Sequence, residues 1–204
     1  MIVIVDYGMG NIRSIQYKLQ KNKIDSKVSS IPSDILSADK LIMPGVGHFK
    51  TGMENLRKFN LVEALNRKVL DEKTPVLGIC LGIQLFTNFS EEGNCEGLKW
   101  IDADTRKFRL DGLGLSIPHV GWNTIRTRNP STLFTGMPED KKYYFTHSYH
   151  LVCKDESDIL AESQYGYSFV AAIQKGNIYG TQFHPEKSHR EGMKVLLNFC
   201  RLGR

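Results

Sequence analysis

The chain has 204 residues, 41% of them hydrophobic and 24% charged, with a formal net charge of +5. This length fills one well-packed domain, expected over 1–204, and no apolar run approaches the roughly 20 residues needed to cross a bilayer. The basic excess is scattered in small groups (Lys18, Lys21, Lys23 and Lys27; Arg126 and Arg128; Lys141 and Lys142), with no basic run and no ring-stacking motif, so nucleic acid is excluded as a ligand.

In chain order, residues 2–6 read as a buried strand rather than a leader, because Asp6 interrupts the apolar run and no basic segment precedes it. A helix is predicted over 11–22, strands over 26–29 and 40–43, helices over 52–59 and 62–71, a strand over 75–79 and a helix over 81–88. That alternation predicts an α/β fold with a central, mostly parallel sheet and flanking helices. From about residue 98 closely spaced strands take over (100–108, 119–125, 143–145, 159–164, 170–174 and 178–183), which predicts an added antiparallel region in the second half. Segments 88–96 and 106–117 read as flexible loops. A closing helix over 189–201 carries Met193, Leu196, Leu197 and Cys200 on one face, read as core.

The four cysteines, Cys80, Cys95, Cys153 and Cys200, lack Cys-x-x-Cys spacing. This argues against zinc and against a disulfide scaffold, and for a reducing compartment, with the cytoplasm as the default. No cofactor and no metal is expected. Gly8-Met9-Gly10-Asn11-Ile12-Arg13 imitates the start of a dinucleotide fingerprint, but Arg13 stands where the third glycine belongs and no acidic residue closes the unit.

The most informative stretch is Gly78-Ile79-Cys80-Leu81-Gly82. A nucleophile between two glycines, after a strand and before a helix, describes an elbow that exposes the central side chain at the strand's carboxyl end. The helix N-terminus behind it helps to stabilise a thiolate. A small buried cysteine in a tight turn is the alternative. Much later, a strand ends in His184-Pro185-Glu186, which supplies a base for a thiol and an acceptor for the imidazole. Cys80, His184 and Glu186 together read as a Cys-His-Glu triad. Pro44-Gly45-Val46-Gly47 follows another strand, and its glycines allow the backbone to aim N–H groups at an oxyanion, with the N–H of Leu81 as the second donor.

Pro44-Gly45-Val46-Gly47, Gly78–Gln84 and His184-Pro185-Glu186 resemble the motifs of the triad-type (class I) glutamine amidotransferases. Asp6–Asn11, His119-Val120-Gly121-Trp122-Asn123, Phe145-Thr146-His147-Ser148-Tyr149 and Lys187-Ser188 narrow the likeness to the glutaminase subunits of imidazole glycerol phosphate synthases, over the whole length. The resemblance implies glutamine as substrate and Gly47 and Leu81 as the oxyanion hole. It also implies Gln84 and Ser148 as contacts to the substrate's amino-acid end. It further implies a heterodimer with a (β/α)₈-barrel cyclase subunit that receives the ammonia, with Met9, Asn11, Trp122, Tyr144 and Lys187 near the interface. For Trp122, core packing is the equal alternative. One segment departs from the family pattern: Lys99-Trp100-Ile101-Asp102-Ala103 replaces an Ile-Pro-Gly-like turn and resembles paralogues that supply ammonia for sugar amination in surface-polysaccharide biosynthesis. A stand-alone thiol hydrolase and a non-catalytic binding protein on the same platform are further readings. The intact Cys80, His184 and Glu186 speak against the second.

Overall fold

The computed structural model describes residues 1–138 and 141–203. Its first half follows the predicted alternation. Strands β1 (Ile2–Val5), β2 (Ser26–Ser29), β3 (Lys40–Gly45) and β4 (Val76–Cys80) are interleaved with helices α1 (Ile12–Lys21), α2 (Pro32–Leu36), α3 (Phe49–Lys58) and α4 (Leu61–Asn66), the last continued by a wide turn over Arg67–Asp71. The short helix α2 is unpredicted; Pro32 at its first turn, where no N–H is needed, starts it. Helix α5 (Leu81–Gln84) is much shorter than the predicted 81–88, and Phe86 and Thr87 continue it as turns.

The second half contributes β5 (Phe89–Ser90), β6 (Cys95–Glu96), β7 (Ala103–Lys107), β8 (His119–Thr124), β9 (Arg126–Thr127), β10 (Lys142–His147), β11 (Tyr149–Cys153), β12 (Ile159–Tyr165), β13 (Tyr167–Lys175) and β14 (Ile178–Thr181), then α6 (His189–Arg201). The main sheet has eight strands in the order β2-β1-β3-β4-β14-β13-β12-β9, parallel from β2 to β14 and antiparallel beyond. A four-stranded sheet β11-β7-β5-β6 and a β10-β8 pair lie beside it. The predicted loop 88–96 therefore holds two short strands. Glu92 accepts from the Phe49 N–H at 2.7 Å, and Glu91 accepts from the Lys107 N–H and pairs with Arg106 and Arg109. The strand expected over 100–108 begins only at Ala103, because the N–H groups of Trp100 and Ile101 bond to the Phe86 carbonyl.

Apolar side chains alternate between the two faces of the sheet. Val3, Val5, Leu41 and Met43 join one core, while Ile2, Ile4, Ile42, Leu77 and Ile79 join the other. Burial on both faces explains why these strands read as continuous apolar runs rather than alternating ones. In α6 the buried stripe is Gly192, Val195, Leu196, Phe199 and Cys200. Met193 and Leu197 sit at its flanks rather than at its centre.

Gly82 locks β4 and α5 against β3. A Cβ there would stand 1.9 Å from the Met43 carbonyl oxygen, far inside any tolerable contact with a main-chain atom. Gly82→Ala should therefore destabilise the protein by about 3 kcal/mol or more, the range of severe core overpacking. Urea unfolding checks this; a loss below about 1 kcal/mol would mean that the elbow has more freedom than its packing indicates.

Candidate functional site

Three neighbouring parallel strands, β3, β4 and β14, end at one level of the sheet. Gly45 pairs with Cys80 across β3 and β4, and Ile79 pairs with Thr181 across β4 and β14. The strand ends thus bring together the three motifs. Cys80 itself has φ 54 and ψ −108, a conformation that L-residues rarely adopt. Such a turn costs about 1–3 kcal/mol and persists only where the surroundings enforce it.

His184 and Glu186 are buried at the end of β14, where residues 185–187 form one tight helical turn. His184 Nδ1 donates to Glu186 Oε1 at 2.9 Å, which sets the imidazole tautomer. His184 Nε2 is buried without a regular hydrogen bond among the described residues. Burial alone pulls the imidazole's pKa down, but the charge of Cys80 opposite, the interaction with its sulfur, and Glu186 outweigh that and raise it to about 10. The ring thus keeps a proton whenever the sulfur is charged. Ser188 staples the turn: its hydroxyl donates to the His184 carbonyl at 2.6 Å and accepts the Tyr144 N–H at 3.0 Å, while the His184 N–H donates to the Tyr144 carbonyl.

The loop after β3 stands over the elbow. Gly47 has φ 129, open to glycine and strained for other residues, and a Cβ there would sit 2.6 Å from Met9 Cε. The Tyr7 hydroxyl donates to the Pro44 carbonyl at 2.6 Å. Complete burial, and then the facing Cys80 charge, hold that phenol far above its ordinary pKa. Asn11 caps α1 through its main chain only, Ile15 N–H to Asn11 carbonyl, with no side-chain cap. Gln84 is buried on α5, and its Nε2 donates to the Tyr149 carbonyl and to Gln182 Oε1, both at 3.0 Å. Ser148 lies in the bend between β10 and β11, two residues after Thr146, whose carbonyl accepts from the Cys80 thiol at 3.8 Å.

Trp122 is not core: it is 43% exposed. It stacks on His189 (centroids 4.7 Å, planes 9° apart) and meets the Tyr144 ring edge-on, while Lys187 Nζ lies 5.6 Å from the Tyr144 ring centre. Trp122 and Tyr144 are paired across β8 and β10, so one antiparallel register places both on the same outer face. His189 belongs to this surface group and nothing in the sequence singled it out. Gln182 was also missed, although strand alternation two residues before His184 places both side chains on one side. Among the described residues, no group of three His, Cys, Asp or Glu side chains could hold a metal ion, and no helix is long and apolar enough to cross a membrane.

The family model for class-I glutamine amidotransferases matches residues 3–202. The chain belongs to the class-I glutamine amidotransferase family. A relative from Methanococcus maripaludis, named imidazole glycerol phosphate synthase subunit HisH 2, is 48% identical over 98% of this chain and 99% of its own. Proteins from Campylobacter jejuni (subunit HisH 1) and Pseudomonas aeruginosa (subunit HisH 2) are each 45% identical, over 99% of this chain and 100% of their own. Among solved structures, a glutamine amidotransferase superposes with a TM-score of 0.75 at 18% identity, covering 98% of this chain and 97% of its own. PurLQS from Thermotoga maritima gives 0.72 at 17%, covering 97% and 96%. At such identities these structures establish the fold of this amidotransferase.

Beneath β8 and β10 the amidotransferase buries a histidine pair. His147 Nδ1 donates to the Tyr149 carbonyl at 2.8 Å, so its Nε2 must accept from His119 Nδ1 at 3.0 Å. His119 Nε2 in turn accepts from Asn123 Nδ2 at 3.4 Å. Burial lowers the pKa to about 4 at His119 and, with the neighbouring histidines, to about 3 at His147. Both are neutral when folded at pH 7, whereas in the unfolded chain they take up protons near pH 6.5. Their folded pKa values lie below the unfolded ones, so protonation favours the unfolded chain. Stability is complete above pH 6.5 and is lost as pH falls towards 4 and then 3. Thermal melting should show Tm already falling between pH 6.5 and 5, above the range where carboxylates titrate; a Tm flat down to pH 5 would contradict the neutral pair.

Proposed function

We propose that this amidotransferase is one glutaminase domain that hydrolyses glutamine through Cys80, His184 and Glu186. It would pass ammonia to a (β/α)₈-barrel cyclase subunit, in a cytoplasmic heterodimer that makes imidazole glycerol phosphate and aminoimidazole carboxamide ribotide for histidine biosynthesis. The observation that carries the reading is the meeting of the Cys80 elbow with the buried His184–Glu186 pair at the ends of β4 and β14. Relatives named as subunits of imidazole glycerol phosphate synthase support the pathway.

In this reading Cys80 passes its proton to His184, and the thiolate attacks the side-chain amide carbon of glutamine. Negative charge collects on the amide oxygen, which the N–H groups of Gly47 and Leu81 receive. His184 returns the proton to the departing nitrogen, the C–N bond breaks and ammonia leaves, with the glutamyl group held as a thioester. His184 then takes a proton from water as the hydroxyl attacks, and glutamate departs as the thiol is restored. Glu186 fixes the ring throughout. Gln84 Oε1, left over once its NH₂ group is spent on Tyr149 and Gln182, and the Ser148 hydroxyl face the substrate's amino-acid end.

Ammonia in neutral water is mostly ammonium and no nucleophile, so direct transfer to a partner is the chemical expectation. The exposed Trp122 and Lys187 and the half-buried Tyr144, Met9 and Asn11 form the surface we assign to that partner. Met9 touches Gly47, so docking there reaches the oxyanion loop, and partner binding would complete it.

A second reading, ammonia supply to a barrel that aminates a sugar for surface polysaccharide, is favoured by one segment. Lys99 takes a left-handed turn (φ 60) into Trp100, whose indole N–H donates to Asn66 Oδ1 at 2.8 Å, in place of the turn usual in the histidine-pathway subunits. The acceptor binds the partner, so the triad serves both routes alike.

Cys80→Ala should lower ammonia release from glutamine by about 10⁴-fold or more, as removal of a triad nucleophile does, and abolish labelling by a glutamine-like diazoketone. Hydrolysis at the wild-type rate would overturn the assignment. Expression with its cognate barrel gene in a histidine auxotroph lacking this subunit should restore growth without histidine. No growth, in cells whose extracts still release ammonia from glutamine, would select the polysaccharide route.

A further inference from the structure

The mechanism leaves Gln182 without a role, although its side chain is fully buried and reaches the sulfur of Cys80. The two ends of an amide are alike in shape, so its neighbours must decide which end faces the sulfur. The main-chain carbonyl of Tyr149 decides it. A carbonyl can only accept, so the Gln84 atom 3.0 Å from it is the NH₂ nitrogen, Nε2. The same Nε2 lies 3.0 Å from Gln182, so the Gln182 atom there is the acceptor Oε1. Gln182 Nε2 is therefore the end turned to Cys80 Sγ, at 3.8 Å. His147 Nδ1 takes the other lone pair of the Tyr149 carbonyl, so no competing donor can displace Gln84 without a cost.

The sulfur thus lies between one acceptor and one donor. The Thr146 carbonyl, 3.8 Å away, suits the thiol, which can donate its S–H. The Gln182 N–H suits the thiolate, which can only accept. The titratable groups facing the sulfur are His184 and Tyr7. The Tyr7 hydroxyl hydrogen is committed to the Pro44 carbonyl, and the His184 proton on Nε2 must travel during the reaction. Gln182 is the neutral donor that stays in place while that proton moves.

We propose that Gln182 is a further catalytic residue, its Nε2–H donating to the Cys80 thiolate and holding the sulfur for attack, with Gln84 as the positioning residue that keeps the amide turned that way. The proposal rests on the glutaminase reading for its purpose, but its test needs no glutamine. Alkylation of Cys80 by iodoacetamide is followed in the full chain by mass spectrometry of the peptide that contains it, for the wild type, Gln182→Met, Gln182→Glu and Gln84→Met. At pH 7 Gln182→Met should slow the reaction about tenfold, as the loss of a hydrogen bond to a charged group does. Gln182→Glu, which keeps the shape and the acceptor for Gln84 but sets a carboxylate against the sulfur, should slow it further. Gln84→Met should fall between the wild type and Gln182→Met. The gap should narrow from pH 7 to pH 10, because a donor to the sulfur matters less where fewer protons compete for it, and alkylation of Cys95 and Cys153 should be unaffected. Rates at pH 7 within twofold of wild type in the folded variants, or an equal slowing at pH 7 and 10, would overturn the proposal. Thermal melting reports whether each variant folds; if Gln182→Met does not, the nearly isosteric Gln182→Glu decides. A wild type that is alkylated as expected yet releases no ammonia from glutamine would overturn the glutaminase reading alone.

Discussion

The turn at Cys80 is held from three sides, and most of what the site can do depends on that grip. A residue with a side chain does not rest at φ 54 and ψ −108 unless neighbouring strands compel it. Here β3 presses through the Met43 carbonyl onto Gly82, Gly180 of β14 packs on Ile83, and the Phe86 ring lies against Gly78. Each contact is a close approach that a methyl group would prevent. The glycines around the cysteine are thus the places where the main chain of β3 and the side chains of Ile83 and Phe86 close in on the elbow, and that packing presents the sulfur.

The parallel half of the fold was legible because strands buried on both faces have no polar residues to confuse their period, and because motifs end them abruptly. The bounds of β2 and α6 could be read directly; those of α5 could not, since Leu85 and Phe86 are apolar enough to continue a helix but are drawn into turns by packing. The antiparallel additions were harder. Strand β11 was invisible because Tyr149–Cys153 follows β10 after a single residue, and its existence depends on pairing with β7, far away in sequence. Segment 88–96 looked like a loop by composition, yet Glu91 and Glu92 tie it to Lys107, Arg106, Arg109 and Phe49. Polar residues that mark a loop in sequence are here the groups that fasten it.

At the site, nucleophile, base and acceptor could be named because each stands in a motif whose chemistry is self-evident. The groups around them could not. Tyr7, His119 and His147 stand in motifs that mark the family without showing what those side chains do, and Gln182 reads as an ordinary strand residue; their meaning appears only when lone pairs and protons are matched across β4, β8, β10, β11 and β14. Trp122 shows the opposite case: sequence alone weighs core and surface equally, and only the β8–β10 register turns it outward over His189.

The Tyr149 carbonyl joins two polar chains, one running through Gln84 and Gln182 to the sulfur and one through His147 and His119 to Asn123. The junction is a main-chain atom, so no substitution at position 149 removes it. Side chains on one branch can be exchanged, weakened or redesigned while the polarity of the other branch remains anchored. For protein engineering this separates what is negotiable from what is not: the branches offer handles for tuning reactivity one at a time, whereas re-registering β11 against β7 would displace the anchor of both together.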